Sequence, residues 1–202
     1  MKFLSEKKAE NFLEKSGFEV IERFFIKSKY GLINSIKKLG FPLVMKVSGK
    51  KIIHKKKIEG VAKDVKTYSE ALYSLRRLKK IKGSQGVLIQ RKILGKEILI
   101  GVKKTPEFGH AIIFGNGGSD VEKEKDFSSR IYPFDKNETR KMIRETKIGK
   151  TLSKKEKLYV IKNIQQICTL LEKNPQINEL DLNPLIISER EAKIVDARIL
   201  FD

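Results

Sequence analysis

Residues 179–201 constrain the fold more than any other stretch. Glu179-Leu-Asp-Leu-Asn-Pro-Leu-Ile-Ile187 and Ala192-Lys-Ile-Val-Asp-Ala-Arg-Ile-Leu-Phe201 are rich in Ile, Leu and Val, and the polar tetrapeptide Ser188-Glu-Arg-Glu191 separates them. Two such runs around a short polar turn predict a β-hairpin. A loop over 188–191 sets Ile187 opposite Ala192, and the same register carried back sets Asn183 opposite Asp196. Facing residues on antiparallel strands hold their Cβ atoms about 4.5–5.5 Å apart. An amide oxygen and a carboxylate at that spacing, on rigid strands, suit a hard divalent cation such as Mg²⁺. A polar pair on a solvated sheet face has the same spacing, so the residues alone leave both readings open.

The chain before the hairpin alternates helices and strands. Ser5 opens a first helix with Ala9, Phe12 and Leu13 on one face and Gly17 at its end; a strand follows around 18–26. Ser28 opens a second helix, with Leu32, Ile33, Ile36 and Leu39 on one side and Gly40 past its end. A buried strand over 42–48, a loop over 49–60 and a strand over 61–65 come next. Thr67 and Glu70 form a capping box for a helix to about Lys80, with Leu72, Leu75 and Leu78 inward. Residues 86–93 and 97–103 read as strands joined by a tight turn at Leu94-Gly-Lys96, and 111–114 continues the sheet to a turn at Asn116-Gly-Gly118. Asp135 and Glu138 cap one further helix. Ser153 and Glu156 cap the longest, which carries Leu158, Ile161, Ile164, Ile167 and Leu171 at helical spacing and ends at Asn174-Pro175. Hairpins in both halves favour an α+β fold of two lobes over one doubly wound sheet.

Composition bounds the function classes. At 202 residues, 40% hydrophobic and 34% charged, the chain is long enough for a real core and shows no disorder signature. The single Cys168 excludes an internal disulfide and suits a reducing compartment. No apolar run approaches the roughly 18 residues of a membrane span, and the N-terminus lacks the apolar stretch of a signal peptide. The expectation is a cytoplasmic protein with no membrane partner. Lys and Arg number 44 against 25 Asp and Glu, a formal charge of +19, and such a field attracts polyanions. The excess is dispersed Lys, as on a solvated surface, so charge alone selects no ligand.

Lys46 lies mid-strand among Leu43, Val44, Met45 and Val47, where a charge is costly unless something pairs with it. A nucleotide phosphate would do so, and a compact ammonium suits that contact. Phe114-Gly-Asn-Gly-Gly-Ser-Asp-Val-Glu122, followed by Asp126 and Arg130, combines glycines that let backbone approach an anion with an acid and a base that can orient phosphate and metal.

The text from Glu179 to Leu185 followed by Val195-Asp-Ala-Arg198 resembles the C-terminal end of the ATP-grasp domain in ADP-forming acyl-CoA (acetyl-CoA) synthetases, relatives of the succinyl-CoA synthetase β subunit. The resemblance covers the whole chain and implies an ATP-grasp fold of two α+β lobes, about 20–95 and 96–202, with helix 5–16 alongside. It implies that ATP or ADP lies between the lobes with a hinge near 90–97. It also implies that Asn183 and Asp196 hold Mg²⁺, that Lys46 binds phosphate, and that Gly60, Gln90, Glu97, Glu122 and Arg130 contact the nucleotide. Ile52-Ile-His-Lys55 matches a loop whose histidine, here His54, receives a phosphoryl group from a phosphohistidine on a partner. Lys56, Lys57 and Glu59 depart from that loop, and the hinge turn lacks the family's Pro-Pro-Gly.

The activity so implied is that of an acid–thiol ligase: reversible conversion of acyl-CoA, ADP and phosphate to acid, CoA and ATP. A CoA-binding α subunit would complete a hetero-oligomer. Two alternatives stay open, another ATP-grasp ligase and a degenerate ATP-grasp scaffold used for regulation or nucleic-acid binding. The intact Lys46, Asn183 and Asp196 speak against nucleic acid; the charge and the altered loop speak for it.

Overall fold

Helix ends fall where the sequence supplies caps, and the caps set the element order. The computed structural model describes residues 1–49, 52, 55, 58–118 and 125–202. Its elements are β1 (Lys2–Leu4), α1 (Glu6–Lys15), β2 (Arg23–Ile26), α2 (Lys29–Leu39), β3 (Leu43–Ser48), β4 (Val61–Val65), α3 (Tyr68–Lys80) and β5 (Gly86–Arg91). There follow β6 (Lys96–Thr105), β7 (Gly109–Asn116), β8 (Phe127–Ile131), α4 (Lys136–Glu145), α5 (Lys147–Thr151) and α6 (Lys154–Lys173). The chain ends with β9 (Ile177–Ile187), β10 (Ala192–Ile194) and β11 (Ala197–Phe201).

Ser28, Thr67 and Asp135 each accept a backbone N–H from the first turn of their helix. At Ser153 the capping box is complete, with Glu156 returning a bond to the cap backbone. At Thr67 it is not: the Glu70 carboxylate accepts from the N–H of Lys66, one residue earlier. Gly17, at φ 88°, takes the left-handed conformation that closes α1.

Two compact units result, one of Met1–Leu4, Lys8–Val20 and Leu94–Asp202, the other of Ser5–Lys7 and Ile21–Ile93. In the smaller, an antiparallel sheet runs in the order β2-β5-β3-β4. Leu43, Met45 and Val47 of β3 and Val87 and Ile89 of β5 join Leu32 of α2 and Leu75 and Leu78 of α3 in one core. Strand alternation therefore turns Val44, Lys46, Leu88 and Gln90 to the face away from α2 and α3.

In the larger unit the sheet order is β1-β11-β9-β6-β7-β8, with β10 paired to β9. Ile98, Ile100, Val102, Ile112, Phe114, Leu180 and Leu182 pack against Leu13 of α1, Met142 of α4 and Ile164 and Ile167 of α6. Each such side chain, fully buried, contributes about 1.5–3 kcal/mol. The intervening residues, Glu97, Leu99, Gly101, Asp181 and Asn183, face the other way. No helix among the described residues is long and apolar enough to cross a membrane.

Three further local expectations change. The strands at 86–93 and 97–103 are not a hairpin: β5 pairs with β2 and β3, whereas β6 pairs with β7 and β9. Buried along nearly its whole length, β5 is a central strand, and such a strand takes neighbours on both sides. The strand around 18–26 shrinks to β2, with an isolated bridge from Val20 to Ile194. Leu158, set at helical spacing with Ile161, Ile164 and Ile167, is 64% exposed, and Val160 is buried on that turn of α6. Three short elements, β1, β8 and α5, carry too little periodicity to be read from the sequence.

Candidate functional site

The hairpin forms in the expected register. Ala192 lies opposite Ile187 and Ala197 opposite Leu182, and between them the N–H of Asn183 donates to the carbonyl of Asp196 at 3.2 Å. Asn183 Oδ1 accepts the N–H of Gly118 at 2.7 Å. Gly118 has φ 85°, and a Cβ there would sit 1.8 Å from Oε2 of Glu97, so the Glu97 carboxylate stands directly against it. Only glycine fits this place, for conformation and for space. The N–H of Gly117 also donates to the Glu97 carbonyl at 2.8 Å. Glu97, Gly118, Asn183 and Asp196 thus follow one another in contact along the larger sheet, with Glu97 and Asn183 on the face away from its helix-packed core.

A residue not singled out from the sequence belongs with them. Asp181, two positions before Asn183 and opposite Arg198, shares this face. Burial raises its carboxyl most, and the nearby Asp196 charge raises it further; Arg198 counters, and the pKa stands at about 6 against an ordinary 3.8. A groove of about 270 Å³ runs beside it, with Leu99, Gly101, Ile113, Glu179 and Arg198 in its lining. Once the hairpin register is set, the Asp-x-Asn spacing of 181 and 183 is the signal that would have found it.

The donors here are hard oxygens: an amide and several carboxylates. Among the described residues no three His, Cys, Asp or Glu side chains are gathered as metal ligands. A divalent ion would therefore be held by Asn183, Asp196 and the oxygens of a bound anion, the arrangement Mg²⁺ favours with phosphates. The amide oxygen has a second lone pair besides the one that meets Gly118. Two crowded carboxylates, one of them with a raised pKa, are what a cation would relieve.

In the smaller unit Lys46 is 5% exposed. A partner of the kind its burial demands is Glu6, whose Oε1 accepts from Lys46 Nζ at 3.0 Å, while Oε2 accepts from Nζ of Lys55. Gln90, 1% exposed, shares the Lys46 face of the sheet. The Gly60 N–H donates to Lys55 and its carbonyl accepts from Val47; an added Cβ would meet Val47 Cγ1 at 2.6 Å. His54 and Glu122 lie outside the described residues.

Arg130 does not join the site. Its register partner is Ile112, so alternation turns it to the helix-covered face, opposite Asp181 and Asn183. There Glu138 accepts from Nε at 2.8 Å and Glu145 from Nη2 at 2.6 Å, and these bonds raise its pKa. Asp126 is likewise committed elsewhere, accepting the N–H groups of Lys147 and Ile148 at the start of α5. His110 is buried, with Nε2 2.7 Å from the Ile177 carbonyl. A larger groove of about 650 Å³ along α6, past Leu158 and Lys162, is lined by none of the candidate residues.

Comparison with known proteins identifies the family and the fold. A family model described as an ATP-grasp domain matches residues 1–201. The β subunit of acetate–CoA ligase [ADP-forming] I from Pyrococcus furiosus is 33% identical over 211 residues, with 98% of this chain and 91% of the relative covered. Acetate–CoA ligase [ADP-forming] II from Archaeoglobus fulgidus is 34% identical over 203 residues; the match takes in 98% of this chain but 30% of that longer protein. Solved structures of the Ca. Korarchaeum cryptofilum dinucleotide-forming acetyl-coenzyme A synthetase 1 superpose over the full chain. The form with coenzyme A, Ca-AMPCP and HgCl+ gives a TM-score of 0.89 at 28% identity and 94% coverage of that chain. A form with coenzyme A and Mg-AMPPCP, its phosphohistidine segment pointing towards the nucleotide binding site, gives 0.82 at 28% and 93%. The chain belongs to the ATP-grasp family, among the relatives of the β subunits and β domains of ADP-forming acetate–CoA ligases.

Proposed function

We propose that this chain is the nucleotide-binding subunit of an ADP-forming acyl-CoA synthetase, working with a CoA-binding partner. The observation that carries the reading is Asn183 and Asp196 in cross-strand register beside Glu97 and Gly118, in a chain that matches nearly the whole of a named β subunit. In this reading Lys46 meets the phosphates as a point charge, and Gln90 and Glu97 contact the nucleoside. Asn183 and Asp196 hold Mg²⁺, which neutralises phosphate charge when bound. His54 accepts a phosphoryl group from the partner's phosphohistidine, its ring nitrogen bonding to phosphorus as the bond to the partner's histidine breaks, and passes it to ADP, whose β-phosphate oxygen bonds to phosphorus as the His54 nitrogen–phosphorus bond breaks.

The test uses the chain alone and then the reconstituted pair. Calorimetry should give ADP binding that is stronger with Mg²⁺ than with a chelator. With its partner, the chain should form ATP from acetyl-CoA, ADP and phosphate. Oligonucleotide binding that falls steeply with salt, with no Mg–nucleotide binding, would overturn the reading in favour of a degenerate scaffold.

A further inference from the structure

We infer that Glu6 is a positioning residue of the nucleotide site, acting through Lys46 and Lys55. Lys46 is rooted in β3 and Lys55 in the loop that follows it, and their ammonium groups repel. The Glu6 carboxylate separates its two oxygens between them, Oε1 to Lys46 at 3.0 Å and Oε2 to Lys55. Side-chain exposure is 7% for Glu6, 7% for Lys46 and 11% for Lys55, so the three charges meet almost out of water. At that depth an unpaired ammonium is expensive and a mispaired one swings away. Glu6 lies in the first turn of α1, where an acid is also favoured by the helix dipole. The two lysines converge on this one carboxylate.

One carboxylate is set against two ammonium groups. An ammonium donates up to three hydrogen bonds, so holding by Glu6 and contact with a phosphate oxygen are compatible on one nitrogen. Two consequences follow. Lys46 stands in place before the phosphate arrives, which lowers the ordering cost of binding. Lys55, the residue after His54 in the sequence, is held by the same carboxylate. The inference rests on the nucleotide reading of Lys46 given above.

The experiment is a double-mutant cycle on the full chain, with ADP–Mg²⁺ affinity read by calorimetry and folding by thermal melting. Lys46→Met alone should weaken ADP binding; if it does not, the nucleotide reading of Lys46 fails and this inference fails with it. Given that loss, Glu6→Gln should weaken ADP about tenfold in the native background and less than about twofold on top of Lys46→Met, because a residue acting through another has no effect once that other is gone. Equal losses in both backgrounds would mark Glu6 as merely structural and overturn the inference. Unchanged or tighter binding in Glu6→Gln would overturn it too, the latter by showing the carboxylate competing with phosphate. Should Glu6→Gln fail to fold, Glu6→Asp takes its place. It keeps the charge but is one methylene short of spanning both lysines, and about a threefold loss confined to the Lys46 background is expected. No loss in Glu6→Asp would overturn the inference.

Discussion

Replacing Asp181 by Asn should stabilise the ligand-free protein at neutral pH and not in acid. The carboxyl is raised to about 6 in the fold, first by burial and then by the Asp196 charge, against an ordinary value of 3.8. A folded pKa above the unfolded one means that the native state holds its proton more tightly. Asp181 thus costs nothing below the unfolded value, and stability is lost as pH rises from about 4 to about 6. Two units correspond to about 3 kcal/mol in full; the residue is only partly buried, and solvent screening brings the expected cost to about 2 kcal/mol. Urea unfolding in the presence of a chelator reads this directly. Asp181→Asn should be more stable than the native chain by about 2 kcal/mol at pH 7.5 and by under about 1 kcal/mol at pH 4.5. A gain independent of pH, or a loss at pH 7.5, would refute the account of this carboxylate as a charge held against its preference. Mg²⁺ with ADP should shrink the gain, since a bound cation relieves the crowding that the substitution removes.

Asp196→Ala should abolish the magnesium-dependent part of ADP stabilisation in a thermal-shift series while the apo protein stays folded. Arg130→Ala should lower stability by about 1–3 kcal/mol, the worth of charge-assisted bonds to Glu138 and Glu145, and leave ADP affinity unchanged; a large affinity loss would return Arg130 to the nucleotide site. Gly118→Ala forces a side chain onto Glu97 at a positive φ, so it should weaken Mg–ADP binding at least as much as Glu97→Gln, measured by calorimetry. Incubation with ATP, Mg²⁺ and the CoA-binding partner should leave an acid-labile, base-stable phosphate on this chain, and His54→Ala should remove it while preserving ADP affinity.

Local rules carried much of the fold. The 188–191 turn fixes a register by loop length, and side-chain period then places Asn183 against Asp196 without reference to the rest of the chain. Caps at Ser28, Asp135 and Ser153 work the same way, each bond closing within three residues. Residues 86–103 do not form the hairpin that their nearness in sequence predicts, because nearness in sequence does not decide strand pairing. Strand partners are a matter of topology, and β5 finds its partners at β2 and β3 rather than across the next turn.

The site divides along the same line. Arg130 follows the glycine run closely enough in sequence to look like part of a phosphate cradle, yet one strand of alternation puts it behind the sheet with Glu138 and Glu145. Lys46 was legible as a charge in need of a counter-ion, because burial of an ammonium makes that demand wherever the partner comes from. Which partner answers was not legible: Glu6 is 40 positions away, and nothing in a run of Lys and Glu says which pair will meet. Charge crowding recurs at two places in the chain. Asp181 and Asp196 crowd like charges on one sheet face, and Glu6 crowds two ammonium groups around one carboxylate. Neither arrangement is what stability alone favours: a bound cation would ease the first, and one carboxylate set between two ammonium groups leaves the second short of negative charge.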